Sequence, residues 1–140
     1  LPIWRHRQRH LGLLLMAIPV DAPVWRRVFD PADLTNYLVS FDVELEPDEK
    51  IETLVVTPYA ESVALGLTVL EGEEYGPFIA GNAEMVDRFA EVYFQIDEDM
   101  RSNAAFLGQG VRLPVEYSIT TDAEPPREYQ VSAVLQVRQR

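Results

Sequence analysis

Apolar and polar residues alternate with a period of two in several short stretches of this chain, and this pattern constrains the fold more than any other feature. In the most complete stretch, the odd positions share an aromatic or aliphatic side chain: Tyr37, Val39, Phe41, Val43 and Leu45. The even positions carry one leucine, a hydroxyl and carboxylates. Because successive residues of a strand point to opposite faces, residues 37–45 are predicted to form a strand with one buried face and one largely solvated face.

Further stretches alternate in the same way or are rich in β-branched residues, and turn signals separate them. They predict strands at residues 51–57, 63–69, 90–97, 111–120 and 129–137. Pro114 favours an edge position or an irregular start for the strand that contains it. Residues 83–89 fit either a helical turn capped by Asn82 or the start of a strand.

Six or seven short strands with almost no helix predict two packed antiparallel sheets, because each strand has only one apolar face. The predicted fold class is all-β, an antiparallel immunoglobulin-like β-sandwich rather than a closed barrel. The chain has no cysteine, so the buried disulfide of antibody domains is absent. We predict a basic and apolar N-terminal arm at residues 1–24 and the sandwich domain at residues 25–140.

Charged residues are distributed unevenly along the chain. Residues 1–27 hold five arginines against one acid, whereas residues 28–140 hold 7 basic and 22 acidic residues, a net charge of −15. The acidic body is expected to repel nucleic-acid phosphates. The basic N-terminal part suits an acidic surface, a nucleic acid or the acidic body of a neighbouring copy.

Three interpretations of the N-terminal part stay open. Residues 5–10 are basic and precede an apolar run at residues 11–20. In the first, the segment is an arm that docks on a partner. In the second, a non-ATG start codon has been translated literally as leucine. In the third, the segment is a secretory signal, for which a basic part before a short apolar part is typical. The run is too short to span a membrane as a helix. We take the arm as the working interpretation.

Patterns that indicate catalysis or a metal site are weak. No Gly-rich phosphate loop is present, and the chain's two histidines, His6 and His10, lie in the predicted arm, which disfavours a Ser-His-Asp triad. Their spacing resembles a zinc-binding pair, but a third ligand is missing. Asp42, Glu44 and Glu46 share a predicted strand face that would suit a glycosidase groove, although such faces more often serve solubility. We predict no catalytic residue, no cofactor and no metal site.

Residues 97–110 are predicted to form a loop anchored by Phe106 and Leu107. The loop contains the best cation candidates of the chain, since calcium takes clustered carboxylate and amide oxygens: Asp97, Glu98, Asp99 and Asn103. Their spacing does not match an EF-hand, and an acidic loop tip between two strands is the favoured interpretation.

Aromatic, basic and apolar residues near the N-terminus are the predicted interface residues. They are Trp4, Arg5, Arg7, Arg9, Leu13, Leu14, Trp25, Arg26 and Arg27. An aromatic residue in such a segment is a typical interface anchor. For Trp25, which lies close to the first predicted strand, packing on the domain's own core is slightly favoured.

Three segments form a recognisable pattern along the chain. An aspartate-proline segment leads into an alternating strand, an acidic turn follows, and a hairpin lies near the C-terminus. The segments are Phe29-Asp30-Pro31-Ala32-Asp33-Leu34, Glu46-Pro47-Asp48-Glu49-Lys50-Ile51, and residues 117–137 with Tyr117-Ser118-Ile119-Thr120-Thr121-Asp122 and Arg127-Glu128-Tyr129. This pattern resembles the fiber-tail adaptor proteins of tailed phages. Residues 73–110 and the basic arm depart from the family pattern, and the family has no catalytic residues to transfer.

The resemblance implies a structural virion protein, not an enzyme, that joins the tail or neck to fibers or spikes in multiple copies. Its expected partners are other virion proteins and further copies of itself, with no membrane partner and nucleic acid disfavoured. Its expected location is the virion tail or neck, after assembly in the host cytoplasm. Alternatives are a capsid cement or decoration protein, a secreted carbohydrate-binding β-sandwich and, last, a glycosidase-like hydrolase.

Overall fold

Strands dominate residues 24–140, the part of the chain that this computed structural model describes. The strands are β1 (Leu34–Ser40), β2 (Ile51–Pro58), β3 (Leu67–Val69), β4 (Phe78–Ala80), β5 (Phe89–Ile96), β6 (Val111–Thr121) and β7 (Glu128–Val137). A short helix, α1 (Ala60–Ala64), follows β2, and two 3-10 turns, Glu98–Met100 and Ala104–Phe106, lie between β5 and β6.

The strands form two antiparallel sheets, which confirms the predicted all-β class. In the first sheet, β5 pairs with β1 on one side and with β3 and β4 on the other. In the second sheet, β6 lies between β2 and β7. The β6–β7 hairpin and the β5 strand agree with the sequence-predicted ranges to within two residues at each end.

Both sheets contribute to one hydrophobic core. The alternate residues of β5 that face inward are fully buried, namely Ala90, Val92, Phe94 and Ile96. The second sheet supplies alternate residues of β6 and β7 to the same cluster, among them Val115, Tyr117, Ile119, Val131 and Leu135. The period-2 pattern therefore selects the inward face of each sheet, as predicted.

The predicted strand 37–45 is wrong in its second half. β1 ends at Ser40, and residues 41–45 form a turn in which Leu45 N–H donates to the Phe41 carbonyl at 3.0 Å. Phe41 is fully buried, but the Val43 side chain is 85% exposed, so it does not belong to the core stripe. Arg88 holds the turn, because its guanidinium donates to the carbonyls of Leu45 and Glu46.

The predicted strand 63–69 is also wrong at its start, because helix α1 occupies part of it. The Ser62 hydroxyl is buried and donates to the Pro114 carbonyl at 2.8 Å, which fixes α1 against the first residues of β6. Val63 is exposed, and only Leu67–Val69 pair as a strand. Alternating apolar residues fit either one long strand or helix α1 followed by a shorter strand. The contact between Ser62 and Pro114, which are distant in sequence, favours the helix.

Pro114 lies in the central strand of the second sheet, yet it removes no ladder hydrogen bond. The β2 ladder stops at the Pro58–Val115 pair, so beyond it β6 faces helix α1 rather than a strand. The Pro114 carbonyl accepts a hydrogen bond from Tyr59 N–H at 3.1 Å on the side of β6 that faces β2 and α1. The Pro114 nitrogen, which carries no hydrogen, therefore points past the end of β2. The predicted edge strand or irregular start is wrong, because β6 is a central strand with a regular register through Pro114, and only its first residues lack a neighbour on the β2 side.

The predictions for the other connecting segments are partly confirmed. Residues 83–89 form neither helix nor strand until β5 begins, and the Asn82 carboxamide oxygen accepts from the Glu84 and Met85 amides. Phe106 is a fully buried anchor, as predicted, whereas Leu107 is 57% exposed and anchors nothing.

Residues 24–29 run parallel to β7 and cover its edge. Trp25 N–H donates to the Val134 carbonyl, and Phe29 N–H donates to the Gln136 carbonyl at 2.8 Å. The Phe29 side chain is fully buried in the core. An open strand edge invites pairing with other chains, and this segment occupies it.

Candidate interaction surface

The outer face of the first sheet is assembled in rows by the strand register. Residues directly opposite one another in antiparallel strands share a face. Since Ala90, Val92, Phe94 and Ile96 point inward, the alternate residues of β5 and their partners point outward. The register gives the rows Leu34–Gln95–Thr68, Asn36–Tyr93, Leu38–Glu91–Phe78 and Ser40–Phe89–Ala80.

Six apolar or aromatic side chains share this outward side, and we call them the aromatic face: Leu34, Leu38, Tyr75, Phe78, Phe89 and Tyr93. Leu34 and Leu38 are 45% and 56% exposed, and the four rings are partly exposed. Tyr75 joins the face through an edge contact with Tyr93, with ring centroids 5.4 Å apart. An exposed apolar patch of several neighbouring residues is typical of an interaction surface.

Glu91 lies in the middle of the aromatic face, between Leu38 and Phe78 in the register. Its carboxylate accepts a hydrogen bond from the Asn36 carboxamide at 2.7 Å. The turn between β3 and β4 adds three exposed carboxylates beside Tyr75: Glu71, Glu73 and Glu74. The aromatic face therefore has an acidic centre and an acidic border, which favours a partner with basic groups.

The outer face of the second sheet has a different chemistry, and we call it the polar face. Most of its outward residues carry hydroxyl, amide or carboxylate groups: Thr53, Thr57, Glu116, Ser118, Thr120, Gln130 and Ser132. Val55 is the exposed apolar residue in this register, at 60%. One outer face of the domain thus carries exposed apolar and aromatic side chains, whereas the other is mostly polar.

Arg88 and its partners hold the turn at residues 41–50 in place. Arg88 is buried, and its Nε donates to the Asp42 carboxylate at 2.8 Å. Its other nitrogens donate to backbone carbonyls of the turn, including that of Glu49 at 2.8 Å. Asp42, Glu44 and Glu46 therefore lie in this turn and not on a strand face, which corrects the sequence prediction.

Glu49 and Arg127 tie the same turn to the β6–β7 hairpin. Glu49 is buried and accepts a two-point interaction from Arg127, with Arg127 Nε at 2.9 Å from one carboxylate oxygen. The other oxygen also accepts from Glu46 N–H. The Arg127 hydrogen bond, opposed by desolvation, lowers the pKa of Glu49 to about 2. The network stabilises the domain and offers no open reactive group.

Three of the predicted interface residues lie in the described part of the chain, and their surroundings differ. Trp25 packs on the core, with ring centroids 4.8 Å from Tyr37 and 6.2 Å from Phe94, which is the packing that the sequence slightly favoured. Arg27 stacks over the Tyr37 ring at 4.2 Å and donates to the Asn36 carbonyl. Arg26 is exposed.

The remaining predicted interface residues lie outside the described residues, and their role stays a prediction. They are Trp4, Arg5, Arg7, Arg9, Leu13 and Leu14. The predicted histidine pair, His6 and His10, lies there as well.

Two side chains of the candidate cation loop, Asp97 and Asn103, accept hydrogen bonds from nearby groups. The Asp97 carboxylate accepts from the Thr68 hydroxyl at 2.6 Å, and the Asn103 side chain accepts from Ala105 N–H. Within residues 24–140, no group of three or more acidic or histidine side chains is arranged to hold a metal ion.

A depression of about 260 Å³ is lined by residues of two loops and of the segment after β7: Asp30, Pro31, Ala32, Arg101, Ser102 and Gln139. Its volume is below the range of roughly 300–1,000 Å³ that small-molecule sites usually have. In the part of the chain described here, no helix is long and apolar enough to span a bilayer.

Comparisons with protein-family models, with curated proteins and with solved structures found no match to this chain. The functional interpretation therefore depends on the surface itself. Sequence reasoning missed the aromatic face, because its members come from β1, β4, β5 and a turn, and only the register brings them together.

Proposed function

We propose that this protein is a structural virion component of a tailed phage, an adaptor that joins the tail or neck to fibers or spikes in multiple copies. The observation that carries the proposal is the aromatic face. It is a sheet surface with exposed apolar side chains, held on a packed two-sheet domain whose other outer face is polar. A protein that acts by contact needs such a rigid surface, and it needs no catalytic cleft.

An immunoglobulin-like topology is part of the proposal, and the strand order supports it. Constant-type immunoglobulin domains have the strand orders ABED and CFG. If β1 takes position B, the pairings of β1, β5 and the β3–β4 pair correspond to B–E–D. The pairings of β2, β6 and β7 then correspond to C–F–G, and residues 24–29 take the place of the first strand along the edge of β7.

The proposal also includes an extended N-terminal arm that contacts a neighbouring subunit in the assembled particle. Its support is charge, since the net charge of −15 for residues 28–140 complements the arginines of residues 1–27. Contacts between copies that carry complementary surfaces build rings or larger arrays, in which each weak contact is strengthened by its neighbours.

Fractionation of phage particles tests this proposal. The tagged protein is expected to remain with tails and necks when they are separated from capsids. Co-purification with empty, tailless capsids would identify a cement or decoration protein instead. Absence from every particle fraction would contradict the virion assignment.

A carbohydrate-binding β-sandwich is the second candidate, and the aromatic face is also the observation that favours it. Partly exposed Tyr93 and Phe78 flank the polar groups of Glu91 and Asn36, and sugar rings stack on aromatic side chains beside hydrogen-bonding groups. Affinity electrophoresis in polysaccharide gels separates the two functions. A retardation that is lost in Tyr93→Ala would favour carbohydrate binding over the adaptor role.

A further inference from the structure

The first described residues, Val24 and Trp25, lie along the edge of β7, and the Trp25 side chain reaches the backbone of β1. Trp25 Nε1 donates to the Leu38 carbonyl at 3.2 Å, and Arg27 donates to the Asn36 carbonyl. Residues 25–27 therefore run in the opposite direction to residues 36–38 of β1. The described chain therefore begins at the edge of the domain where β7 of the second sheet and the Leu38–Ser40 end of β1 in the first sheet lie close together.

The length of the preceding chain suffices to reach across this face. An extended residue spans about 3.3 Å, and neighbouring strands lie about 4.8 Å apart. Residues 11–23, if extended, span roughly 40 Å, which exceeds the distance of about 10 Å between packed sheets plus the two strand spacings between β1 and β4. Residues 11–20, which lie outside the described residues, directly precede residues 21–23 in the sequence.

The chemistry of residues 1–20 complements the aromatic face. Residues 11–20 contain no charged side chain and are mostly aliphatic. The segment just before them carries Arg5, Arg7 and Arg9. The aromatic face offers apolar side chains with Glu91 among them and exposed carboxylates in the turn at residues 71–74. The polar face offers no comparable apolar surface to such a segment.

We propose that, in the unassembled protein, residues 11–20 cover the aromatic face of their own domain, with the arginines of residues 5–9 facing its acidic border. The short connection to Val24 favours this contact over one between copies, because a tethered segment acts at an effective concentration of the order of millimolar. The inference does not depend on the virion assignment. It implies that a partner must displace the segment before it binds the aromatic face.

Cross-linking of paired cysteines tests the contact cleanly, because the natural chain has no cysteine. The full-length double variant Leu14→Cys, Leu38→Cys is treated with a short bis-maleimide at low micromolar concentration. The matched control is Leu14→Cys, Val55→Cys, since Leu38 and Val55 have similar exposures of 56% and 60% but lie on different faces. Intact mass and gel mobility distinguish links within one chain from links between chains.

We expect the Leu14–Leu38 pair to link within one chain at least about tenfold faster than the control pair. This preference should disappear when Leu13→Asp and Leu15→Asp are added, since the added carboxylates oppose apolar contact and meet an acidic border. Equal rates for the two pairs would overturn the proposal. Links formed mainly between chains would overturn it as well, since a second copy would then supply the cover.

Discussion

Glu49 is the buried carboxylate whose charge state is most strongly coupled to folding. Its pKa falls from 4.5 in the unfolded chain to about 2 in the folded domain, chiefly because Arg127 donates to the carboxylate. A lowered folded pKa stabilises the domain above the unfolded pKa. That stabilisation is lost as the pH falls through about 4.5 toward 2, and at pH 7 it is on the order of 2–3 kcal/mol.

Glu49→Gln should therefore lower the free energy of unfolding by about 2–3 kcal/mol at pH 7 and by much less at pH 2.5. Urea titrations of the wild type and the variant at several pH values measure this difference. Glu52→Gln, at an exposed position, serves as the control and should change stability by less than about 0.5 kcal/mol. A Glu49→Gln effect that stays constant between pH 7 and pH 2.5 would contradict the assigned role of Arg127.

Phe41 and Val43 have the same place in the sequence alternation but opposite environments. Phe41 is fully buried, and Val43 is 85% exposed. Phe41→Asp should unfold the domain, because an unpaired buried charge costs on the order of 5 kcal/mol or more, comparable with the total stability of a domain. Val43→Asp should change stability by less than about 0.5 kcal/mol. Thermal unfolding followed by circular dichroism distinguishes the two, and a large loss in Val43→Asp would refute the turn.

Residues 24–29 cover the edge of β7. Phe29→Ala should lower the free energy of unfolding by about 3–5 kcal/mol, since it removes a fully buried ring from the core. Amide hydrogen exchange should also become faster at Arg138, which donates to the Phe29 carbonyl. Arg26→Ala is the control in the same segment. Equal exchange at Arg138 in both variants would show that the segment does not hold this edge.

The sequence predicts elements well where alternation and local turns agree. β5, β6 and β7 were found in this way, because their inward residues alternate without interruption. β1 was predicted too long, since its end depends on Arg88, a residue 46 positions away from Asp42. Helix α1 was missed for a similar reason, the distant contact between Ser62 and Pro114.

The aromatic face was beyond sequence reasoning for a different physical reason. Each strand supplies only one or two of its members, and within a strand they look like ordinary exposed residues. The register of β1 and β4 against β5 places Leu38 and Phe78 on either side of Glu91. Register depends on turn lengths and long-range packing, which one sequence does not specify.

The proposed N-terminal arm and the domain should be separable in function. Among the described residues, the core cluster begins at Phe29, so removal of residues 1–20 should leave a cooperatively folding domain. The same deletion should abolish incorporation into particles if the arm contacts a neighbouring subunit. Circular dichroism and particle purification measure the two properties. Normal incorporation of the truncated protein would contradict the arm's role in assembly.

The contact role of the aromatic face is tested most directly by the incorporation of two matched variants into particles. Leu38→Asp places a charge on the aromatic face, and Val55→Asp places one on the polar face at similar exposure. Both should fold, with a cost below about 1 kcal/mol for the carboxylate beside Glu91. We predict that Leu38→Asp is incorporated at least about tenfold less than the wild type, whereas Val55→Asp is incorporated normally. Equal incorporation of the two folded variants would contradict a contact through the aromatic face.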